Sequence, residues 1–228
     1  MQSHNNAALD FVLTSAWARN LTDAARSRVR AQTRMRVVPR GGVVCHSGAP
    51  VEYWKGVIDG MAKMSVACAD GRTSTLTGLT AGAWFGEGPL VRSATWDFDV
   101  VAMRETRIAL VPRGTFYWLL DNSPAFNRFV IGQLSERLAQ FLAVVEAERL
   151  ETAETRVARC LAWLFNPVLY PNVGLRLELT QQELGYLSGV PRQRVNRALG
   201  LMKDAGLLAV DYGAVQVLDL ERLQRYRS

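Results

Sequence analysis

The chain has 228 residues, 49% apolar and 21% charged, with a formal net charge of +6; this balance excludes a largely disordered chain and leaves core material for one large or two small domains. No apolar run approaches the roughly 20 residues that cross a bilayer, and the opening MQSHNNAALD lacks a basic stretch followed by an apolar one, so a cytoplasmic protein without a membrane partner is expected. Cys45, Cys68 and Cys160 are odd in number and scattered, and His4 and His46 are the only histidines; neither a disulfide framework nor a metal site is suggested. The charge is uneven. Residues 1–40 hold seven arginines against two acids, 41–150 hold ten basic residues against eleven acids, and 151–228 hold ten against eight. A basic balance suits an anionic partner only weakly, so local pattern has to decide.

From Phe11 to about Arg30 the residues Phe11, Trp17, Leu21, Ala25 and Val29 recur at helical spacing, which predicts one or two short helices. Then short β-prone runs broken by Gly-Gly, Ser-Gly, Asp-Gly and Thr-Gly continue to about Pro112. That punctuation predicts an antiparallel roll of about eight strands. Ser123 next fits an N-cap, with Pro124 at the first helical position of a helix some thirty residues long. Phe126, Val130, Leu134, Phe141, Val144 and Val145 offer it both an intramolecular face and a dimer seam, although Gln133, Arg137 and Glu148 interrupt a strict heptad. EAERLETAETR reads as a solvated hinge.

The last seventy residues carry the most specific pattern. Thr180 with Glu183 three residues later is a capping box, so a helix starts near Gln181 and ends at Gly189. A second helix then begins with Pro191 at its first position. On it Val195, Leu199 and Met202 share one face, while Arg192, Gln193, Asn196 and Arg197 project from the first turns with no acid before Asp204. Guanidinium forks and amides are the groups that pair with guanine and adenine edges in the major groove. Gly206 ends this helix, and LLAVDYGAVQVLDL reads as two strands around Asp211-Tyr212-Gly213, a hairpin wing. No phosphate-cradling GxxxxGK[ST] and no paired Cys/His ligands are present, so neither an enzyme nor a resident cofactor is expected.

Roll, long helix, LTQQELGYLSGVPRQRVNRAL and wing together resemble the cyclic-AMP receptor protein (Crp/Fnr) family of bacterial transcription regulators from about Phe11 to Leu220; Gly41, Gly48, Gly60, Gly71, Gly86 and the FGE tripeptide agree. The resemblance implies an α+β fold: an N-terminal antiparallel β-roll of the cyclic-nucleotide-binding type with N-terminal helices (1–122), a long dimerisation helix (123–152) and a C-terminal winged helix-turn-helix (153–228). It implies a homodimer, double-stranded DNA with a near-palindromic site, and RNA polymerase as a further partner. Arg192, Gln193 and Arg197 match the family's base-reading positions, and Thr180 and Gln181 match positions that hold phosphates. Gln193 stands where a glutamate is common and Pro191 where a serine is common, so an altered half-site is expected.

In nucleotide-binding members the FGE glutamate takes the ribose hydroxyl, and a later Arg-Ser-Ala or Arg-Thr-Ala clamps the cyclic phosphate. Here Gly86 and Glu87 are present, but Arg92-Ser93-Ala94 comes early, and counting back from Val100-Val101-Ala102 puts Trp96 and Asp97 in the clamp's place. Phe141 and Leu142 stand where hydroxyls read the purine. The expectation is a degenerate pocket that does not respond to cyclic AMP, with Asp97 and Asp99 repelling a phosphate. The alternatives are that Arg92 swings in and completes the clamp, that cyclic AMP, cyclic di-GMP or another effector controls the protein, or that the chain is a docking module that binds no DNA. No arginine-rich motif identifies cyclic di-GMP.

Overall fold

The structure, a computed structural model, describes residues 9–67, 73–92, 94–147 and 152–227, together with the backbone of 148–150. His4, Cys68, Gly71 and Ser93 lie outside the described residues. Residues 9–14 are helical, a 3₁₀ turn follows at Ala16–Ala18, and α1 spans Asp23–Gln32. Thr22 caps α1 by accepting from the Ala25 N–H, and Ala25 and Val29 form its buried face. The expected eight strands follow: β1 (Arg34–Val38), β2 (Val43–Cys45), β3 (Tyr53–Asp59), β4 (Met61–Ala67), β5 (Thr73–Thr80), β6 (Trp84–Phe85), β7 (Asp99–Ala102) and β8 (Thr106–Pro112). The short helix α2 (Glu87–Val91) interrupts them after β6. They form two antiparallel sheets, ordered β1-β8-β3-β6 and β2-β7-β4-β5.

Helices α3 (Arg113–Asn122) and α4 (Pro124–Leu150) come next. Ser123 Oγ accepts from the Phe126 N–H, as its place before Pro124 requires. At 27 residues α4 is about 40 Å long. Its first turns pack Phe126 and Val130 against the roll, in a cluster where Trp54 stacks on Trp84 at 4.1 Å and Trp17 meets Phe126 at 5.5 Å. Val130 therefore belongs to the core and not to a free seam. Among the described residues of α4 the exposed large apolar side chains are Ile131, Leu138, Leu142 and Val145, the first, second and fourth of them each a heptad apart. Gln133 and Arg137 interrupt nothing on that face: both are buried, with Gln133 Nε2 donating to the Val168 carbonyl.

The C-terminal unit comprises α5 (Ala153–Leu164), β9 (Arg176–Glu178), α6 (Gln181–Ser188), α7 (Arg192–Asp204), β10 (Leu208–Asp211), β11 (Ala214–Val217) and α8 (Leu220–Gln224). Its strands form one antiparallel sheet ordered β10-β11-β9. A second core of Leu161, Leu184, Val195, Leu199, Met202 and Val215 holds it together, with Met61 of the roll reaching in. The two units meet where α5 and α6 lie on β5. Gly78 permits that approach, since a Cβ there would stand 2.9 Å from Leu164 Cδ2 and 3.2 Å from Leu187 Cδ1. Beside it, Arg104 of the roll donates to Glu183 Oε1 at 2.9 Å and to the Glu178 carbonyl at 3.0 Å.

Candidate nucleic-acid interface and effector pocket

The capping box forms as the sequence requires. Thr180 Oγ1 accepts from the Glu183 N–H at 3.2 Å, and the Thr180 N–H donates to Glu183 Oε2 at 2.8 Å. Gly189 ends α6 in the left-handed region with φ 63°, and the chain turns directly into α7. Pro191 differs from expectation: with ψ 141° it occupies the cap, and α7 starts at Arg192. Val195, Leu199 and Met202 are buried, and Arg192, Gln193, Asn196 and Arg197 all face solvent. Gln181 Nε2 donates to Asn196 Oδ1 at 3.1 Å, which fixes the amide and ties the start of α6 to the exposed face of α7.

Two contacts at this face were not legible in the hinge sequence. Glu154, in the first turn of α5, is buried, and its carboxylate lies 3.8 Å from an Arg194 amino nitrogen and 4.0 Å from Arg197 Nε. Residue 151 and the side chains of 148–150 lie outside the described residues, and Glu154 belongs to the packed first turn of α5 and not to a solvated hinge. Its Arg197 contact is long and exposed, so it holds that side chain weakly. The wing turns at Tyr212-Gly213, and Tyr212 is fully exposed. Arg40, Arg104, Thr180, Gln181, Arg192 and Tyr212 line one groove of about 660 Å³ that joins roll, α6, α7 and wing.

In the roll, Gly86 has φ 100° and leads into Glu87, the first residue of α2. Glu87 is buried. Desolvation pushes its carboxyl above the usual range, against the Arg137 guanidinium, its own backbone and the Trp54 indole N–H, which donates at 3.4 Å. Arg137 comes from α4 and is itself buried, donating to Gln140 Oε1 at 3.0 Å and to the Tyr170 hydroxyl at 3.1 Å. Gln140 Nε2 continues to Thr77 Oγ1, and the Tyr170 hydroxyl donates to the Gly78 carbonyl. A polar chain thus runs from Arg137 to β5, where the C-terminal unit docks. Arg137 was missed as a site residue; the signal was a charge one turn before Phe141 on an otherwise apolar stripe.

Trp96 closes the roll interior beside Gly86. Only 2% of it is exposed, and its indole lies so close to Gly86 that a Cβ there would meet Cη2 at 2.7 Å. Phe85 and Phe98 flank it, and Lys55 Nζ stands 4.1 Å from its ring centroid. Burial lowers the Lys55 amine to about 8. Arg92 does not swing in: it pairs with Asp97 at the surface. That pairing also corrects the expected repulsion, because Asp97 already carries its counter-charge. Asp99 accepts from the Ser47 N–H. Phe141 packs against the roll core, and Leu142 is 63% exposed on the stripe with Ile131, Leu138 and Val145. Cys45 and Cys160 are free thiols, burial pushing each up to about 12, and His46 is exposed beside Asp99. No helix among the described residues is long and apolar enough to cross a membrane.

Comparison with known proteins follows this division. A cyclic nucleotide-binding domain model matches residues 35–123, and a Crp-like helix-turn-helix domain model matches residues 155–226. The chain is similar to a CRP-like cAMP-activated global transcriptional regulator of Mycobacterium tuberculosis, with 30% identity over 82% of this chain and 85% of that protein. It is similar to the cAMP-activated global transcriptional regulator CRP of Pasteurella multocida, with 27% identity over 75% of this chain and 83% of that one. In fold it resembles FixK2 from Bradyrhizobium japonicum, with TM-score 0.69 at 17% identity over 86% of this chain and 98% of that one. Two domain matches in the family's order and this identity to the mycobacterial regulator show that the chain belongs to the Crp/Fnr family of transcription regulators, which bind DNA and are not enzymes.

Proposed function

We propose that the protein is a homodimeric, sequence-specific DNA-binding regulator of the cytoplasm whose DNA-competent form does not call on cyclic AMP. The observation that carries the reading is the solvent face of α7, where Arg192, Gln193, Asn196 and Arg197 stand exposed with no carboxylate before Asp204. Arg192 and Arg197 supply bidentate donors for guanine, Gln193 and Asn196 amides for adenine, and Thr180 and Gln181 hold backbone phosphates. The work divides among residues 1–122 as an effector-type roll, 123–152 as the dimerisation helix and 153–228 as the DNA reader, of which residues 1–8, 68–72, 93, 151 and 228 lie outside the described residues.

Dimerisation is supported by Ile131, Leu138 and Val145, which recur every seven residues and are 62%, 61% and 46% exposed, with Leu142 beside them. A stripe of that kind on so long a helix needs a partner, and a second copy of α4 supplies the matching one. Two copies of α7 then face two half-sites of a near-palindromic duplex, one helical turn apart, with RNA polymerase as the further partner. Independence from cyclic AMP is supported by the buried Trp96 indole, which packs over Gly86 where the resemblance expects the phosphate clamp and carries no group for a charge-assisted bond. Selection of bound sequences from random DNA by the purified protein, repeated with cyclic AMP, tests the reading. A palindromic motif recovered equally in both arms is expected; recovery of none in either arm would end it.

A further inference from the structure

Of the 27 lysine and arginine residues of the chain, 3 are lysines. Arginine keeps its proton inside a protein, whereas a lysine can lose it and become a nucleophile, so these three are chemically distinct from the rest. Lys203 is exposed, and Lys63 is half-buried over the Tyr186 ring at 5.5 Å. Lys55, on β3, is 6% exposed. Among the described residues it donates no hydrogen bond and joins no ion pair; its Nζ rests on the Trp96 ring, 4.1 Å from the centroid. A buried ammonium placed in this way lacks the acceptors that such groups find in folded proteins.

Lys55 lines a cavity of about 300 Å³ where β1 and β2, edge strands of the two sheets of the roll, come together and Arg36 of β1 donates to the Val43 carbonyl of β2. Helix α4 covers the opposite edges, β5 and β6, with Gln140 on Thr77 and Arg137 on the Trp84 carbonyl. Among the described residues neither Glu87 nor any part of α4 or the C-terminal unit lines this cavity, so it is separate from the Glu87 site and from the face where the units meet. Trp96, Ala49, Pro50 and Leu110 give it apolar walls. Glu52 also lines it but forms no ion pair with the amine. Burial pushes the Cys45 thiol in the same wall up to about 12, so it stays protonated and does not compete for an electrophile. Burial lowers the Lys55 amine from 10.5 to about 8, so near neutral pH far more of it is uncharged than of an ordinary lysine. We propose that this cavity takes a small apolar aldehyde, which forms an imine with the Lys55 amine over the Trp96 ring. The nitrogen adds to the carbonyl carbon, its two hydrogens leave with the carbonyl oxygen as water, and a C=N bond remains; no oxidant or reductant takes part. Once protonated, the imine places its positive charge on the indole face that now holds the amine. This assignment does not depend on the DNA-binding reading.

The test treats the full-length chain, without DNA and near neutral pH, with benzaldehyde and sodium cyanoborohydride, which reduces an imine to a stable secondary amine. Peptide mass spectrometry then reads each lysine separately. Lys55 should be labelled about tenfold or more faster than Lys203, as its larger uncharged fraction implies. Its rate should saturate with benzaldehyde and be slowed by benzamide, which matches the probe in size and forms no imine. In urea the three lysines should be labelled alike. Labelling of folded Lys55 no faster than that of Lys203, a rate that rises linearly with benzaldehyde, indifference to benzamide, or the same selectivity in urea would each overturn the assignment. Protection of Lys55 by benzoate but not by benzamide would make the amine an anion site and overturn the ligand class.

Discussion

Trp96→Ala should be among the most damaging single substitutions in the roll. The indole is 2% exposed, wedged over Gly86 between Phe85 and Phe98, with Lys55 on its ring. A side chain of this kind hides roughly 150–250 Å², and at about 25 cal/mol per Å² its burial contributes ~4–6 kcal/mol. The cation–π contact contributes up to about 2 kcal/mol when desolvated, but much of that is offset once the indole is gone and Lys55 regains water. Aromatic-to-alanine changes in cores cost about 3–5 kcal/mol, and that range is expected here. For a chain of this size each kcal/mol moves Tm by about 2–4 °C, so a fall of roughly 6–20 °C should follow. Urea denaturation read by circular dichroism, with the slope unchanged between wild type and variant, gives the difference directly. A loss below about 1 kcal/mol would mean that the indole does not fill the pocket, and the argument for its closure would fall with it.

Arg192→Ala and Arg197→Ala should each weaken binding to the selected site by about 1–3 kcal/mol at fixed salt and weaken random DNA much less, as gel shifts would show; Lys203→Ala is the expected mild control. Leu138→Glu should give a folded monomer in sedimentation and abolish palindrome binding, whereas Val130→Glu should unfold the roll, because only the first residue lies on the exposed stripe. Glu87→Gln should flatten the pH dependence of stability. Burial raises the folded carboxyl above its ordinary 4.5, so the wild type loses stability as pH climbs from there through the raised value. Urea midpoints between pH 4 and 8 should therefore fall in wild type and stay level in the variant, and parallel curves would contradict the assignment.

The helix-turn-helix was legible because each of its signals is local. A capping box, a left-handed glycine and three apolar residues on one face fix α6 and α7 within one residue, and Pro191 was misplaced only because proline suits the cap and the first turn alike. The strands were legible in number from their turn glycines, but not the partition into two sheets, which depends on pairings far apart in sequence. The long helix was read correctly as two-faced, yet its faces were confused: periodicity shows that Val130 and Ile131 are apolar, not which of them the roll covers. The pocket divided in the same way. The early place of Arg92 could be counted from the spacing before Val100, but the Arg92–Asp97 pair, the buried Glu154 and the run from Arg137 through Gln140 to Thr77 join residues whose separation carries no local signal.

The most direct test is the affinity of the purified protein for a fluorescently labelled copy of its selected palindrome, measured by anisotropy at one salt concentration with and without 1 mM cyclic AMP. The account predicts tight, sequence-selective binding by a dimer with the same Kd in both arms, and a loss of selectivity in Arg192→Ala and Arg197→Ala. Binding that matches random DNA in the absence of the nucleotide and becomes selective only when cyclic AMP is added would contradict it.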